Sequence, residues 1–111
     1  MFTPETAMPT LTLNDAIGLA LAEEMRRDNK VIAFGEGIAT KRHELVTEFG
    51  ALRVRNTPLA EGIIAGTAVG AAAGGLRPVA DLLFAPFLCY AMDELVNSAG
   101  KLRYMSGGQF S

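Results

Sequence analysis

Glycine stands at positions 62, 66, 70 and 74, each four residues after the last, in a segment otherwise built mainly of alanine and β-branched residues. Residues four apart on an α-helix share a face, so a helix over Ala60–Gly75 carries a smooth stripe along its length. Only a neighbour that can come very close makes use of such a stripe, either a sheet or another helix. A bilayer span needs roughly 17–25 apolar residues. This segment is shorter, and Glu61 and Arg77 flank it closely. The spacing therefore points to close backbone packing rather than to a membrane, with a subunit interface as one outcome.

The flanking segments set the fold class. Met1–Leu11, with Pro4 and Pro9, reads as a leader, and residues 12–111 read as one domain. Thr12 or Asn14 can cap a helix reaching about Asp28, with an apolar face at Ala16, Ile17, Leu19, Ala20 and Met25, and with Arg26 and Arg27 suiting its C-terminal dipole. Val31-Ile32-Ala33-Phe34 is continuously apolar and stops at Gly35, the pattern of a strand buried on both faces of a parallel sheet. Lys41–Phe49 predicts a short helix closed by Gly50, Leu52–Arg55 a second strand, and Val79–Phe84 a third. Phe87–Lys101 predicts a last helix, apolar at Leu88, Ala91, Met92, Leu95 and Val96. Strands alternating with helices predict an α/β fold with a mainly parallel sheet. Ser106–Ser111 reads as a turn entering a further element, so the chain is expected to be part of a larger protein.

Composition narrows the function. Ten basic against 12 acidic residues give a net charge of −2 and a pI near 5.3, which argues against a nucleic-acid binder held by phosphate contacts. There is no basic amphipathic stretch for a membrane surface. One cysteine and one histidine exclude a disulfide framework and a cysteine zinc cage, and no metal ligands are expected on this chain. Met1–Thr10 has no secretory pattern, so the expected compartment is the cytoplasm. Lys41-Arg42-His43 reads as a solvated helix start, since the second histidine of an H-E-x-x-H pair is missing. Cys89 reads as a small buried hydrophobe.

Two acids stand out. Glu61 opens the glycine-rich helix, where a carboxylate favours the helix dipole, or where it stands at the carboxyl edge of a parallel sheet, the usual ligand site. Glu36, in Gly35-Glu36-Gly37, is an exposed loop acid or a second group at that edge. The loop is not a dinucleotide fingerprint, because position 40 is Thr, and no phosphate loop is present. Phe84, Phe87 and Tyr90 are either core or an aromatic wall for a planar ligand.

Four strings combine into a resemblance: GEGIA at 35–39, NTPLAEGIIAGTAVGAAAGGLRPVAD at 56–81, FAPF at 84–87 and MDELVNSAGKLRYMSGGQFS at 92–111. From about Leu13 to Ser111 the chain resembles the N-terminal part of the beta subunit of the thiamine-diphosphate-dependent 2-oxoacid dehydrogenase component. That family includes the pyruvate, branched-chain 2-oxoacid and acetoin enzymes. The resemblance implies the pyrimidine-binding domain of the thiamine-diphosphate-binding fold. It implies that Glu61 hydrogen-bonds the ring nitrogen of the cofactor's aminopyrimidine, that Phe87 packs on that ring, and that Leu83 is an apolar neighbour. Glu36 would lie near the cofactor or along an acidic link between two sites. The diphosphate and its Mg²⁺ would belong to an alpha subunit, with a second beta subunit and a lipoyl-bearing acyltransferase as further partners. The implied reaction is oxidative decarboxylation of a 2-oxoacid, pyruvate first, with acyl transfer to lipoyl groups. Gly37 replaces a second acid of the family's loop, the loop after it is shorter and lacks a G-G-[VA]-[FY] run, and Pro86 replaces the Asp of F-A-D-F. These departures leave an alternative, a non-catalytic module of the same fold docking through its glycine-rich helix. Taken alone, the chain is expected to be inactive.

Overall fold

Thr12 starts the first helix by a reciprocal cap. Its hydroxyl accepts the Asp15 N–H at 3.1 Å and donates to the Asp15 carboxylate at 2.6 Å, which satisfies one of the free donors of the first turn. The computed structural model describes residues 9–110; residues 1–8 of the expected leader, and Ser111, lie outside the described residues. The helix, α1, runs over Leu13–Arg27. Its buried face is Gly18, Leu21, Ala22 and Met25, not the expected set, of which only Met25 is buried. The spacing i, i+3, i+4, i+7 makes these four one narrow stripe, whereas Ile17 and Leu19 fall beside it and face solvent.

Strand β1 (Val31–Gly35) is central to a three-stranded, fully parallel sheet of order β2-β1-β3. The other strands are β2 (Val54–Asn56) and β3 (Arg77–Asp81). Ala33 pairs with both Val54 and Val79, and Gly35 with both Asn56 and Asp81. Being flanked on both sides is why β1 is continuously apolar while β3 is half exposed. One cluster of Leu21, Ala22, Met25, Val31, Ala33, Ile38, Leu45 and Val54 fills the face under α1 and the short helices α2 (Ile38–Lys41) and α3 (His43–Phe49). Helix α4 (Glu61–Ala73) packs on β3 and buries Ile64 and Ala65.

Four expected elements shift, each for a local reason. The helix expected over Lys41–Phe49 begins earlier and breaks at Arg42, whose guanidinium reaches the Asn14 carbonyl at 3.3 Å and its side-chain oxygen at 2.9 Å. The second strand starts two residues late, because Arg53 and Val54 first donate back to the Gly50 carbonyl. The third starts before Pro78, which an edge strand tolerates, and stops at Asp81. The helix expected over Phe87–Lys101 forms as one uninterrupted helical run of changing pitch, opening with a 3-10 segment, Ala85–Ala91, that has Pro86 in its first turn. A π-helical segment, Glu94–Ala99, follows, and then α5, Gly100–Met105. Of the apolar face expected there, Ala91 alone is buried, while Leu88, Met92 and Val96 are exposed. Cys89 is exposed as well, a correction to its reading as a buried hydrophobe. No helix among the described residues is long and apolar enough to cross a membrane.

Arg53 joins three elements. Its Nη2 donates to the carbonyls of Met25 at 2.7 Å, Asp28 at 2.9 Å and Val31 at 2.9 Å, and its Nε donates to Val31 at 3.1 Å. Its guanidinium lies 5.0 Å over the Phe49 ring. Carbonyls at the end of α1 and at the start of β1 thus share one cation. At the surface, the Arg26 guanidinium grips Glu48, with Nη2 to Oε2 at 2.7 Å, and holds that carboxyl below its ordinary value.

Arg53→Ala is expected to lower stability by about 2 kcal/mol, because three partly buried carbonyls lose a charged donor. Arg53→Lys recovers only part of this, since an ammonium cannot reproduce the planar fork. Urea midpoints measure both. The depressed Glu48 value stabilises the fold above the ordinary carboxylate range, and that contribution disappears as pH falls through the lowered value. Both side chains are open to solvent, so the effect is small, and Glu48→Gln should flatten the acid limb of a pH–stability curve slightly.

Candidate functional site at the carboxyl edge of the sheet

A methyl group on Gly35, the last residue of β1, would stand 2.3 Å from the backbone carbonyl oxygen of Asp81. Only glycine lets β1 and β3 approach this closely. The Gly35 carbonyl also accepts the Thr57 N–H at 3.0 Å. The carboxyl ends of all three strands therefore gather at one residue, and three connections leave from that point: Glu36 after β1, Thr57–Glu61 after β2, and Leu82–Phe87 after β3. All four residues singled out in the sequence lie on them, at the edge where parallel sheets bind ligands.

Asp81 shapes the third connection. Its carboxylate accepts the Leu83 N–H at 2.8 Å and receives Lys41 Nζ at 3.1 Å. Leu83 is held at φ 71°, a left-handed conformation costly for a branched side chain and of the kind found at functional sites. It lines a groove of about 750 Å³ with Ile17, Lys41, Phe84 and Leu88. Glu36, Glu61 and Phe87 do not line that groove. Lys41, expected to be merely solvated, is part of the edge, whereas His43 is exposed as expected.

Glu61 is the first residue of α4 and is half-buried; Ala60 before it gives no side-chain cap. Phe87 sits on the 3-10 segment that packs against α4. Phe84 and Phe87 meet edge to face with centroids 5.6 Å apart, and Tyr90 follows at 6.3 Å. Phe84 and Tyr90 are 65% and 71% exposed, which decides against plain core and leaves an open aromatic surface beside the helix that carries Glu61. The glycine stripe has an occupant within the chain that the sequence did not announce. Glu94 lays its side chain along α4, with Cγ 3.4 Å from where a Gly66 Cβ would be and Oε1 3.5 Å from that of Gly62. Among the described residues, no neighbour outside the local helix backbone lies within 4 Å of where a Gly70 Cβ would be.

The edge thus carries a half-buried carboxyl group on α4 and, on the segment packed against that helix, an aromatic ladder whose Phe84 and Tyr90 are exposed, surfaces that suit a flat ring. Among the described residues no cluster of three or more His, Cys, Asp or Glu could hold a metal ion.

The chain matches a known protein family over most of its length. The family model described as transketolase, pyrimidine binding domain, matches residues 9–110. The chain is 41% identical over 110 residues to the 2-oxoisovalerate dehydrogenase subunit beta of Bacillus subtilis (strain 168), a match covering 94% of this chain and 34% of that protein. It is 44% identical over 110 residues to the pyruvate dehydrogenase E1 component subunit beta of Rhizobium meliloti (strain 1021), covering 94% of this chain and 24% of that protein. It is 45% identical over 105 residues to the corresponding subunit of Rickettsia bellii (strain RML369-C), covering 89% and 32%. The chain thus spans a quarter to a third of the length of these curated relatives.

Gly35→Ala forces the Asp81 backbone to move and is expected to destabilise by about 3 kcal/mol. Asp81→Ala should cost about 1–2 kcal/mol, through the lost Leu83 turn. Lys41→Met should cost under about 1 kcal/mol, because the ion pair is partly exposed. Chemical denaturation of the three variants checks the order.

Proposed function

The chain belongs to the transketolase pyrimidine-binding domain family, and from that membership we propose that it is the aminopyrimidine-binding part of the beta subunit of a thiamine-diphosphate-dependent 2-oxoacid dehydrogenase. The observation that carries the reading is the placement of Glu61, half-buried at the start of α4, a helix that packs against the segment bearing Phe87. The names of the relatives, pyruvate and 2-oxoisovalerate dehydrogenase beta subunits, support the reaction class. Pyruvate is the proposed substrate, with 2-oxoisovalerate as its competitor.

In this reading the Glu61 carboxyl shares a proton with the ring nitrogen of the aminopyrimidine and so fixes which of its nitrogens act as donors and acceptors. Phe87 covers one face of the ring, Leu83 closes an apolar side, and Glu36 adds a carboxylate from the central strand. When bound, thiamine diphosphate supplies the carbon that attacks a 2-oxo group and takes up the electrons released with carbon dioxide. The residues of this chain orient that cofactor and move a proton at its pyrimidine end. An alpha subunit would hold the diphosphate and its Mg²⁺, which fits the lack of a phosphate-binding loop in this sequence. A second beta subunit would complete the heterotetramer, and a lipoyl-bearing acyltransferase would receive the acyl group. Docking through the glycine-rich helix alone, without catalysis, is less well supported, because Glu94 already covers Gly62 and Gly66.

In the complete protein with its alpha partner, Glu61→Gln is expected to slow exchange of the cofactor's thiazolium proton by roughly 10²–10⁴-fold. Undiminished exchange in that variant removes Glu61 from the role. Phe87→Ala should weaken thiamine diphosphate binding about tenfold, the loss expected for an aromatic packing contact, as measured by fluorescence titration.

A further inference from the structure

Asn56 ends β2 just before the Thr57-Pro58-Leu59-Ala60-Glu61 string. Its side-chain oxygen accepts the backbone N–H of Ala39 at 2.8 Å, a contact between residues 17 apart. Ala39 lies in the first turn of α2, which Gly37 introduces at φ 68° with no side-chain cap of its own. The first turn of any helix leaves backbone donors free, and here one of them is satisfied from a different strand. The neighbouring residue repeats the link in backbone form, where the Thr57 N–H donates to the Gly35 carbonyl at 3.0 Å. Glu36 is the first of three residues, Glu36, Gly37 and Ile38, enclosed between the two attachments, with Gly35 fastened on one side and Ala39 on the other. Both attachments lead to the start of the connection that delivers Glu61.

We propose that Asn56 is a positioning residue that fixes the Glu36 loop to the connection bearing Glu61, and so sets where the Glu36 carboxylate stands at the cofactor edge. This inference rests on the pyrimidine-binding reading above and adds to it. Asn56 is itself exposed, so its packing gives little reason for an asparagine at this point. The donor it meets is a backbone N–H, which identifies the contacting atom as the amide oxygen. An aspartate would present an oxygen in the same place, next to a helix start that favours negative charge. Alanine would leave the Ala39 N–H to water, and the polar link from the β2 end to the Glu36 loop would be reduced to Thr57, with Ile38 still packed in the core.

The test is a double-mutant cycle in the complete enzyme with its alpha partner, using Asn56→Ala and Glu36→Gln singly and together. Asn56→Ala is expected to lower kcat/KM for the 2-oxoacid about tenfold, the scale of a small misplacement of a catalytic group. Asn56→Asp should restore it to within about twofold. In the Glu36→Gln background the further loss from Asn56→Ala should shrink to under about twofold, because the group being positioned is already gone. A role confined to stability would lower the melting temperature without that coupling. Additive losses, or a Glu36→Gln enzyme of full activity, overturn the proposal. If Asn56→Ala fails to assemble, the same cycle is run with Asn56→Gln, which keeps the amide and displaces its oxygen by one methylene. A Glu61→Gln control separates the two levels. If that variant is inactive while the cycle is additive, only Asn56's role is lost; if it is fully active, the underlying reading is lost instead.

Discussion

The closeness of β1 to β3 at Gly35 is the constraint on which the rest of the molecule depends. A Cβ there would collide with the Asp81 carbonyl, so the two strands can finish side by side only because the side chain is absent. The same residue's carbonyl holds Thr57, which brings the end of β2 to the same point. Three connections that are distant in sequence leave from one place as a result. Glu36 follows immediately, Glu61 arrives at the head of α4, and Asp81 turns the chain through Leu83 toward the aromatic ladder. The three strands among the described residues thus present a carboxylate, a second acid and a flat apolar surface along a single edge.

Much of this order was visible in the sequence because it is local. The apolar run Val31–Phe34 declares a doubly flanked strand, and the four-residue glycine spacing declares α4. The alternation of strands with helices declares a parallel sheet. The resemblance carried by the strings around Glu61 pointed to the fold family that the matching family model then showed. What stayed hidden depends on contacts between residues far apart in the chain. Arg53 reads as one of two alternating arginines on a strand, yet it gathers carbonyls from residues up to 28 positions away. Lys41 meets Asp81 across 40 residues. Asn56 acts 17 residues back along the chain. A side chain bonded to a distant backbone group leaves no periodicity to detect.

The errors share a physical cause. Helical propensity over Phe87–Lys101 suggested one amphipathic helix, but Pro86 favours a tight opening turn, and the segment divides into 3-10, π and α portions. Its apolar residues, Leu88, Met92 and Val96, remain largely uncovered, and Cys89 is exposed with them. On α1 the apolar residues are broadly distributed, and only the narrow set at 18, 21, 22 and 25 is buried. In both places hydrophobic character was read correctly and its direction was not, because direction depends on what the rest of the fold brings opposite.

The π-helical stretch Glu94–Ala99 bears on how this region can change over evolutionary time. A π turn accommodates one residue more than an α turn, so the stretch behaves like a helix that has absorbed an insertion without losing its axis. Deleting a residue there would let the backbone close into ordinary α-helix while the residues beyond it kept their faces, whereas the same deletion in regular α-helix would rotate them by about 100°, the angle one residue subtends at 3.6 per turn. Leu102 and Arg103, which line the groove against α4 and β3 together with Phe110, would stay on it. The segment can therefore lose its extra residue without the facing surface of α4 having to be rebuilt.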